Sequence, residues 1–272
     1  MRRLTLFELH EQPFYPKLWR EMFQDGLSMA AVKLRIYAAV AEAFSRFLSQ
    51  TRADRVLDLC SGAAEPILQL RESLGPPLEE PDKVKFVLSD LFPPVERFRR
   101  LAATHPEAIE FYSEPVNALH PPDGAPRVRT LFSAFHHFPP GKAREILRDA
   151  ALHADGIAIF ETTERRWSHI LQCLLLFFPA VVICGFSLRP YRLSHLLWGA
   201  LIPVVPLTAV WDGVVSCLRT YSVIELEEMT RSIESPDFEW GAGALPMPGS
   251  SLRVTYLFGR RIEAEVARAG AA

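Results

Sequence analysis

The sequence predicts an α/β fold, a doubly wound, mostly parallel sheet with an antiparallel closing strand, an N-terminal helical cap and an apolar helical insertion. Three observations carry this expectation. Between residues 55 and 161, short apolar runs alternate with amphipathic stretches of about ten residues, the pattern of strands and crossover helices. The run Val56-Leu57-Asp58-Leu59-Cys60 gives way at once to Ser61-Gly62-Ala63-Ala64, and apolar positions resume at Ile67, Leu68 and Leu70. That order reads as a buried strand turning tightly into a helix. The chain then ends on a helix signal followed by two strand signals, a hairpin placed to close the sheet.

Residues 1–50 read as a helical cap. Leu18, Phe23, Leu27, Val32, Leu34, Tyr37, Val40, Phe44 and Phe47 recur at helical spacing, and Phe14, Tyr15 and Trp19 make the early part rich in aromatics. These aromatics cover the sheet edge or lie over a cationic ligand, which an aromatic face can stabilise. The core, 51–164, has strands at Arg55 to Leu59, Val84 to Ser89, Ile109 to Tyr112, Val128 to Phe135 and Gly156 to Phe160. Helices are expected from about Pro66 to Ser73, Val95 to Thr104 and Lys142 to His153, the first stopped by Gly75-Pro76-Pro77. In the last segment, 213–272, Ser222 with Glu225 three residues on forms a capping box. Phe238 to Trp240 and Leu252 to Phe258 then read as strands around a Gly/Pro-rich loop, 241–251, and the residues after Arg261 as a frayed helix.

Composition limits the function classes. The 272 residues are 49% hydrophobic and 23% charged, with a net charge of −2. A sizeable core follows, and no electrostatic footprint for nucleic acid is present, since the basic groups Arg97/Arg99/Arg100 and Arg260/Arg261 are short. Cys60, Cys173, Cys184 and Cys217 form no C-x-x-C pair, so reduced thiols, a cytoplasmic setting and no zinc site are expected. Met1-Arg2-Arg3-Leu4 is basic but no apolar core follows it, so it does not read as a secretory signal.

The turn after the first strand is the expected ligand site, because parallel α/β sheets bind ligands at the carboxyl ends of their strands. The dinucleotide pattern G-x-G-x-x-G is absent, and so is the Lys-Ser/Thr of a phosphate loop. Asp90 ends the second strand, where a carboxylate can accept both hydroxyls of a ribose. Asn117-Ala118 follows the third strand, where an amide can read an adenine edge, and Ser133 to His137 close the fourth. Asp90 also suits a turn before Pro93, and Asn117 an ordinary turn.

Taken together, Asp58…Gly62, Asp90, Asn117-Ala118 and Phe132-Ser133-Ala134-Phe135-His136-His137-Phe138 resemble the class I S-adenosylmethionine-dependent methyltransferases over roughly residues 50–165 and again over 221–260. The resemblance implies a Rossmann-like sheet holding S-adenosyl-L-methionine. It implies that Asp58, Ser61 and Gly62 approach the methionine part, Asp90 the ribose, Asn117 and Ala118 the adenine, with Cys60, Leu91 and Ser133 also among the cofactor-binding residues. The usual acid-x-Gly-x-Gly-x-Gly motif keeps here only its acid and middle glycine, Cys60 and Ala64 standing at the other two. On this reading the acceptor is an apolar or aromatic small molecule methylated at oxygen. His136 or His137 takes its proton, or else the pair orients the turn; no metal is expected, although His105, His120, His136 and His137 could converge in space. A lipid or quinone acceptor and a non-catalytic cofactor-binding scaffold are the alternatives.

The insertion, 165–212, stands outside that core. Ile170 to Leu188 has no charge, and Leu196 to Trp211 is a second apolar run broken by Pro203 and Pro206. It reads as a lid over an apolar acceptor, as a hairpin dipping into a membrane through 167–211, or as a homodimer interface. Beyond it, Asp212, Arg219 and Tyr221 are polar groups beside apolar surface; they form a buried Asp-Arg anchor or line the acceptor site.

Overall fold

The computed structural model describes residues 1–187, 193–247 and 252–262. One seven-stranded sheet runs through it in the order β3-β2-β1-β4-β5-β7-β6. The parallel part is β1 (Arg55–Leu59), β2 (Lys85–Leu88), β3 (Ile109–Phe111), β4 (Val128–Phe132) and β5 (Gly156–Glu161). Against β5 lies the antiparallel β7 (Arg253–Arg261), which pairs in turn with β6 (Phe238–Pro246). The strand order reverses between β1 and β4, which puts a crevice at the carboxyl end of β1.

Alternation along the strands builds two cores. Val56, Phe86, Leu88, Ala158 and Phe160 face one side, packed on Phe44 and Leu48 of α2 (Ala41–Thr51), Ile67 of α3 (Glu65–Arg71) and Phe98 of α4 (Val95–Thr104). Leu57, Leu59, Leu131, Ile157 and Ile159 face the other, against Ile146 and Leu147 of α5 (Pro140–His153) and Leu226 and Met229 of α9 (Val223–Arg231). Every residue of β4 and β5 is buried, as the strands of a sheet covered on both faces must be.

The cap and the insertion share a third layer. α1 (Lys17–Leu34) leads through a 3₁₀ turn at Ile36–Val40 into α2. The insertion contributes α6 (Trp167–Ser187), α7 (Leu193–Leu196), a π turn at Leu197–Leu201 and α8 (Val204–Arg219). Met22 and Phe23 of α1 pack on Val205 and Ala209 of α8, while Ile170, Cys173 and Cys217 join α6 to α8. Gly213 permits that approach, because a Cβ there would lie 2.5 Å from the Phe177 ring. Among the described residues no helix is long and apolar enough to cross a membrane.

Several boundaries differ from expectation for identifiable reasons. Residues 1–16 form a strap of turns rather than helix, tied down by side chains of α8 described below. β4 ends at Phe132 and not at Phe135, because Ser133 takes a left-handed conformation, φ 46°. The Gly-rich stretch 241–246 belongs to β6 and pairs residue by residue with β7, down to Pro246 opposite Arg253. Glycine at 243 makes room for the Tyr256 ring, whose hydroxyl would sit 2.4 Å from a Cβ. The insertion has no break at 212, since α8 continues to Arg219. The capping box forms as expected, with Ser222 and Glu225 each bonding the other's backbone N–H. The frayed helix after Arg261 falls almost wholly outside the described residues.

Candidate functional site

The turn after β1 holds three left-handed residues in alternate positions: Cys60 (φ 58°), Gly62 (φ 50°) and Ala64 (φ 64°). These are the three glycine positions of the acid-x-Gly-x-Gly-x-Gly motif. Two of those positions carry side chains here, yet all three take the left-handed conformation that glycine adopts most readily. A non-glycine residue in this region costs about 1–2 kcal/mol, so Cys60 and Ala64 hold the turn under strain.

Hydrogen bonds fasten the turn to the end of β2. The Ser61 hydroxyl donates to the Asp58 carbonyl at 2.9 Å, and the Ser89 hydroxyl donates to the same oxygen at 2.7 Å. The Ser61 amide donates to the Ser89 carbonyl at 2.9 Å. Asp90 reaches across, one carboxylate oxygen accepting from the Gly62 amide at 2.9 Å and the other from the Phe92 amide at 2.9 Å. The Asp90 carbonyl accepts from the Val116 amide at 2.8 Å, so the segment after β3 joins the same end of the sheet. Asp58, Gly62, Asp90 and 116–118 are thus brought together, with Leu91 and Phe92 exposed beside them.

The carboxylates differ in surroundings. Asp58 is 2% exposed beneath the turn and accepts from the Thr130 hydroxyl at 2.8 Å. Burial pushes its pKa up to about 7 against the pull of the Ser61 and Thr130 hydrogen bonds, and neighbouring Asp90 adds to the rise. Asp90 is partly exposed, so it is the carboxylate that a ligand can reach. The exposed Asn117 caps its own turn, its side-chain oxygen accepting from the Leu119 amide at 3.0 Å, and Ala118 is buried in the core. Ser133 bonds to Tyr37 of the cap at 2.9 Å and to Thr162 at 2.8 Å. The Tyr37 amide in turn donates to the Gln69 side chain at 2.8 Å, which seats the cap over α3.

A second cluster occupies the carboxyl end of β4 and β5. His136, 3% exposed, places Nδ1 2.6 Å from Glu161 Oε2 and Nε2 3.6 Å from Oε1 of Glu8, itself 1% exposed. Burial alone would lower the His136 pKa, but Glu161 and Glu8 outweigh it and push it up to about 10. The ring is buried between two carboxylates, which favour its protonated form. His137 moves the other way, lowered by burial and by the neighbouring imidazolium. Its Nδ1 lies 2.5 Å from Glu11 Oε1 and 3.8 Å from Glu8 Oε2.

The anchor expected between Asp212 and Arg219 is built differently. Both are buried, and each holds the N-terminal strap rather than the other. Asp212 accepts from the Leu9 amide at 2.6 Å, the His10 amide at 3.1 Å and His10 Nδ1 at 2.9 Å. Arg219 donates to Glu11 at 3.0 Å and to the His137 carbonyl at 2.9 Å, while the Tyr221 hydroxyl donates to the Phe138 carbonyl at 2.7 Å. Of the expected histidine convergence, His136 and His137 meet; His120 lies apart, near Glu145. Sequence reasoning missed Glu8, Glu11 and Tyr37 as partners of these sites. Glu161, the acid ending β5, gains its role only from the fold, which sets it against His136. A surface cavity of about 390 Å³ lined by Thr51 to Arg55 and Gly124 to Val128 lies at the opposite, amino-terminal edge of the sheet and takes no part.

No protein-family model matches the chain, and no curated protein does. Solved structures do. The plantazolicin methyltransferase BpumL, in complex with SAH, aligns with a TM-score of 0.58 at 12% identity over 93% of this chain and 94% of that one. The S-adenosylmethionine-dependent methyltransferase SibL, in its apo form, gives 0.52 at 15% identity over 96% of this chain and 64% of that one. An O-methyltransferase family protein from Burkholderia thailandensis gives 0.51 at 16% identity over 90% and 60%. The chain therefore spans nearly all of the first and under two thirds of the other two. At these identities the likeness establishes the fold, the Rossmann-like sheet of the class I S-adenosylmethionine-dependent methyltransferases.

Proposed function

We propose that the chain is a methyltransferase that takes S-adenosyl-L-methionine at the carboxyl ends of β1 and β2 and methylates an apolar or aromatic small molecule at oxygen. The observation that carries this is the left-handed path kept at Cys60, Gly62 and Ala64 and tied through the Gly62 amide to Asp90. A fold that had abandoned the ligand would have no reason to hold two non-glycine residues in strain there. Asp90 serves the ribose hydroxyls, and the turn's small residues admit the methionine part. BpumL, whose structure holds SAH, supports the cofactor assignment.

The chemistry asks little of the protein beyond alignment. An acceptor oxygen attacks the methyl carbon, the carbon–sulfur bond breaks, and the positive sulfur becomes a neutral thioether. Holding oxygen, carbon and sulfur in line contributes up to about 7–11 kcal/mol. Phenols and enols that ionise near neutral pH need no side-chain base. Trp19, Met22, Phe23 and Trp198 form an apolar cluster where α1 meets the insertion.

A second reading has one observation in its favour. α6 exposes Leu171, Leu174, Leu175, Leu176 and Ile183, a face that fits a lipid surface or a second copy of the chain. A lipid or quinone acceptor would follow from the first of these. The test uses methyl-labelled S-adenosyl-L-methionine with a panel of phenols, enols and quinols, with and without phospholipid vesicles. Label in a water-borne phenol supports the first reading, and label only in vesicle-held acceptors supports the second. Cofactor binding without transfer to any of them would leave a scaffold.

A further inference from the structure

At the carboxyl end of β4, His136 Nε2 is buried without a hydrogen bond, and the buried His137 Nδ1 has Glu11 Oε1 at 2.5 Å outside hydrogen-bond geometry. Both point toward the Glu8 carboxylate, at 3.6 and 3.8 Å, and one ligand atom from each of the three residues lies within 4.8 Å of the others. We propose that Glu8, His136 and His137 bind a first-row divalent transition cation, of the Zn²⁺ or Co²⁺ kind, which clips the N-terminal strap to the carboxyl end of β4.

Four features support this. Two imidazoles and one carboxylate are a ligand set such cations prefer to Mg²⁺ or Ca²⁺. Glu161 accepts from His136 Nδ1, so that once the second proton leaves, the Nε2 lone pair faces the gap, the carboxylate–histidine arrangement that orients metal-bound imidazoles. The separations of 3.6 and 3.8 Å, to Glu8 Oε1 and Oε2 respectively, are too long for hydrogen bonds, and Oε1 also accepts from the Ser216 hydroxyl at 3.0 Å, so Oε2 is the freer oxygen for an ion. Charge also fits. With neutral imidazoles, the carboxylates Glu8, Glu11, Glu161 and Asp212 exceed the guanidiniums Arg3, Arg20 and Arg219 by one, so the cluster keeps a negative balance that favours a cation. The ion would displace the second proton of the His136 ring, and Glu11, whose Oε1 lies 2.5 Å from His137 Nδ1, flanks the site.

A second cluster, His169, Cys173 and Cys217 between α6 and α8, competes for the same kind of ion. It is the poorer site. His169 Nδ1 accepts from the Glu164 amide at 3.0 Å, which puts the neutral ring's proton on Nε2 and occupies both nitrogens.

The experiment titrates Co²⁺ into the full chain after chelator treatment, following visible absorption and thermal unfolding. One equivalent is expected, without thiolate charge-transfer absorption and with a raised melting temperature. Glu8→Gln and His137→Asn should each weaken binding by tenfold or more, and Glu161→Gln by about 10–100-fold. Cys173→Ser with Cys217→Ser should leave it unchanged. If Glu8→Gln fails to fold by circular dichroism, His137→Asn decides. Absence of stoichiometric binding, a thiolate band lost with the cysteines, or undiminished affinity in a folded Glu8 or His137 variant would each overturn the proposal.

Discussion

Exchanging glycine and alanine within the turn after β1 measures its backbone strain directly. In ordinary helix, alanine is more stable than glycine by about 0.5–1 kcal/mol. At a left-handed position the order reverses, because the Cβ meets the carbonyl oxygen at a cost of about 1–2 kcal/mol. Gly62→Ala should therefore destabilise by about 1 kcal/mol, although an added Cβ meets no atom within 4 Å, so sterics with neighbours play no part. At position 60 the useful comparison is Cys60→Gly against Cys60→Ala, which removes the thiol from both; the glycine variant should be more stable by about 1 kcal/mol. At 64 the native methyl is fully buried, and its loss, about 0.8 kcal/mol, offsets the relief, so Ala64→Gly should be near neutral. Urea unfolding gives all of these, and 1 kcal/mol corresponds to a shift of about 2–4 °C in melting temperature for a chain of this size. If alanine equals or exceeds glycine at 60 and 62, the turn does not have the path described, and the argument from kept strain to kept ligand fails.

Other expectations follow from the same structure. Gly213→Ala forces a methyl to within 2.5 Å of the Phe177 ring and should cost about 1–3 kcal/mol in urea unfolding; a loss under 0.5 kcal/mol would mean α6 and α8 pack otherwise. Asp58 binds its proton more tightly folded, near pKa 7, than unfolded, near 3.8, so its contribution is full below about pH 4 and is lost as pH rises through about 7. Asp58→Asn should flatten the fall in stability between pH 4 and 8, and an unchanged slope would place the carboxylate in water. Tyr37→Phe removes the 2.9 Å bond to Ser133 and should cost about 1 kcal/mol, read by thermal unfolding; no change would detach the cap from β4.

The sheet was legible because its strands are short apolar runs between strongly periodic helices. Val95 to Thr104 was placed to the residue, since one apolar face and prolines on the N-terminal side define it. The capping box at Ser222 was legible for the same local reason. Gly241 to Pro246 was not, because glycine in a strand looks like loop unless the facing Tyr256 ring is known. The motif turn shows the converse. Cys60 and Ala64 read as departures from a glycine pattern, yet the surrounding hydrogen bonds impose the glycine conformation on them. The strap lay beyond reach of periodicity, since Glu8 and Glu11 gain meaning only when Asp212 and Arg219, far along the chain, draw them against His136 and His137. Asn117 fits its turn in sequence and in structure alike, which leaves its relation to a ligand a matter for experiment.

Calorimetric titration of SAH into the wild-type chain and into Asp90→Ala probes the central claim most directly. One-to-one binding, weakened at least tenfold by a substitution that leaves the protein folded, is the outcome predicted. Full-length, folded protein that takes up no SAH, or that binds it equally well without the Asp90 carboxylate, would contradict the placement of a nucleoside at the ends of β1 and β2.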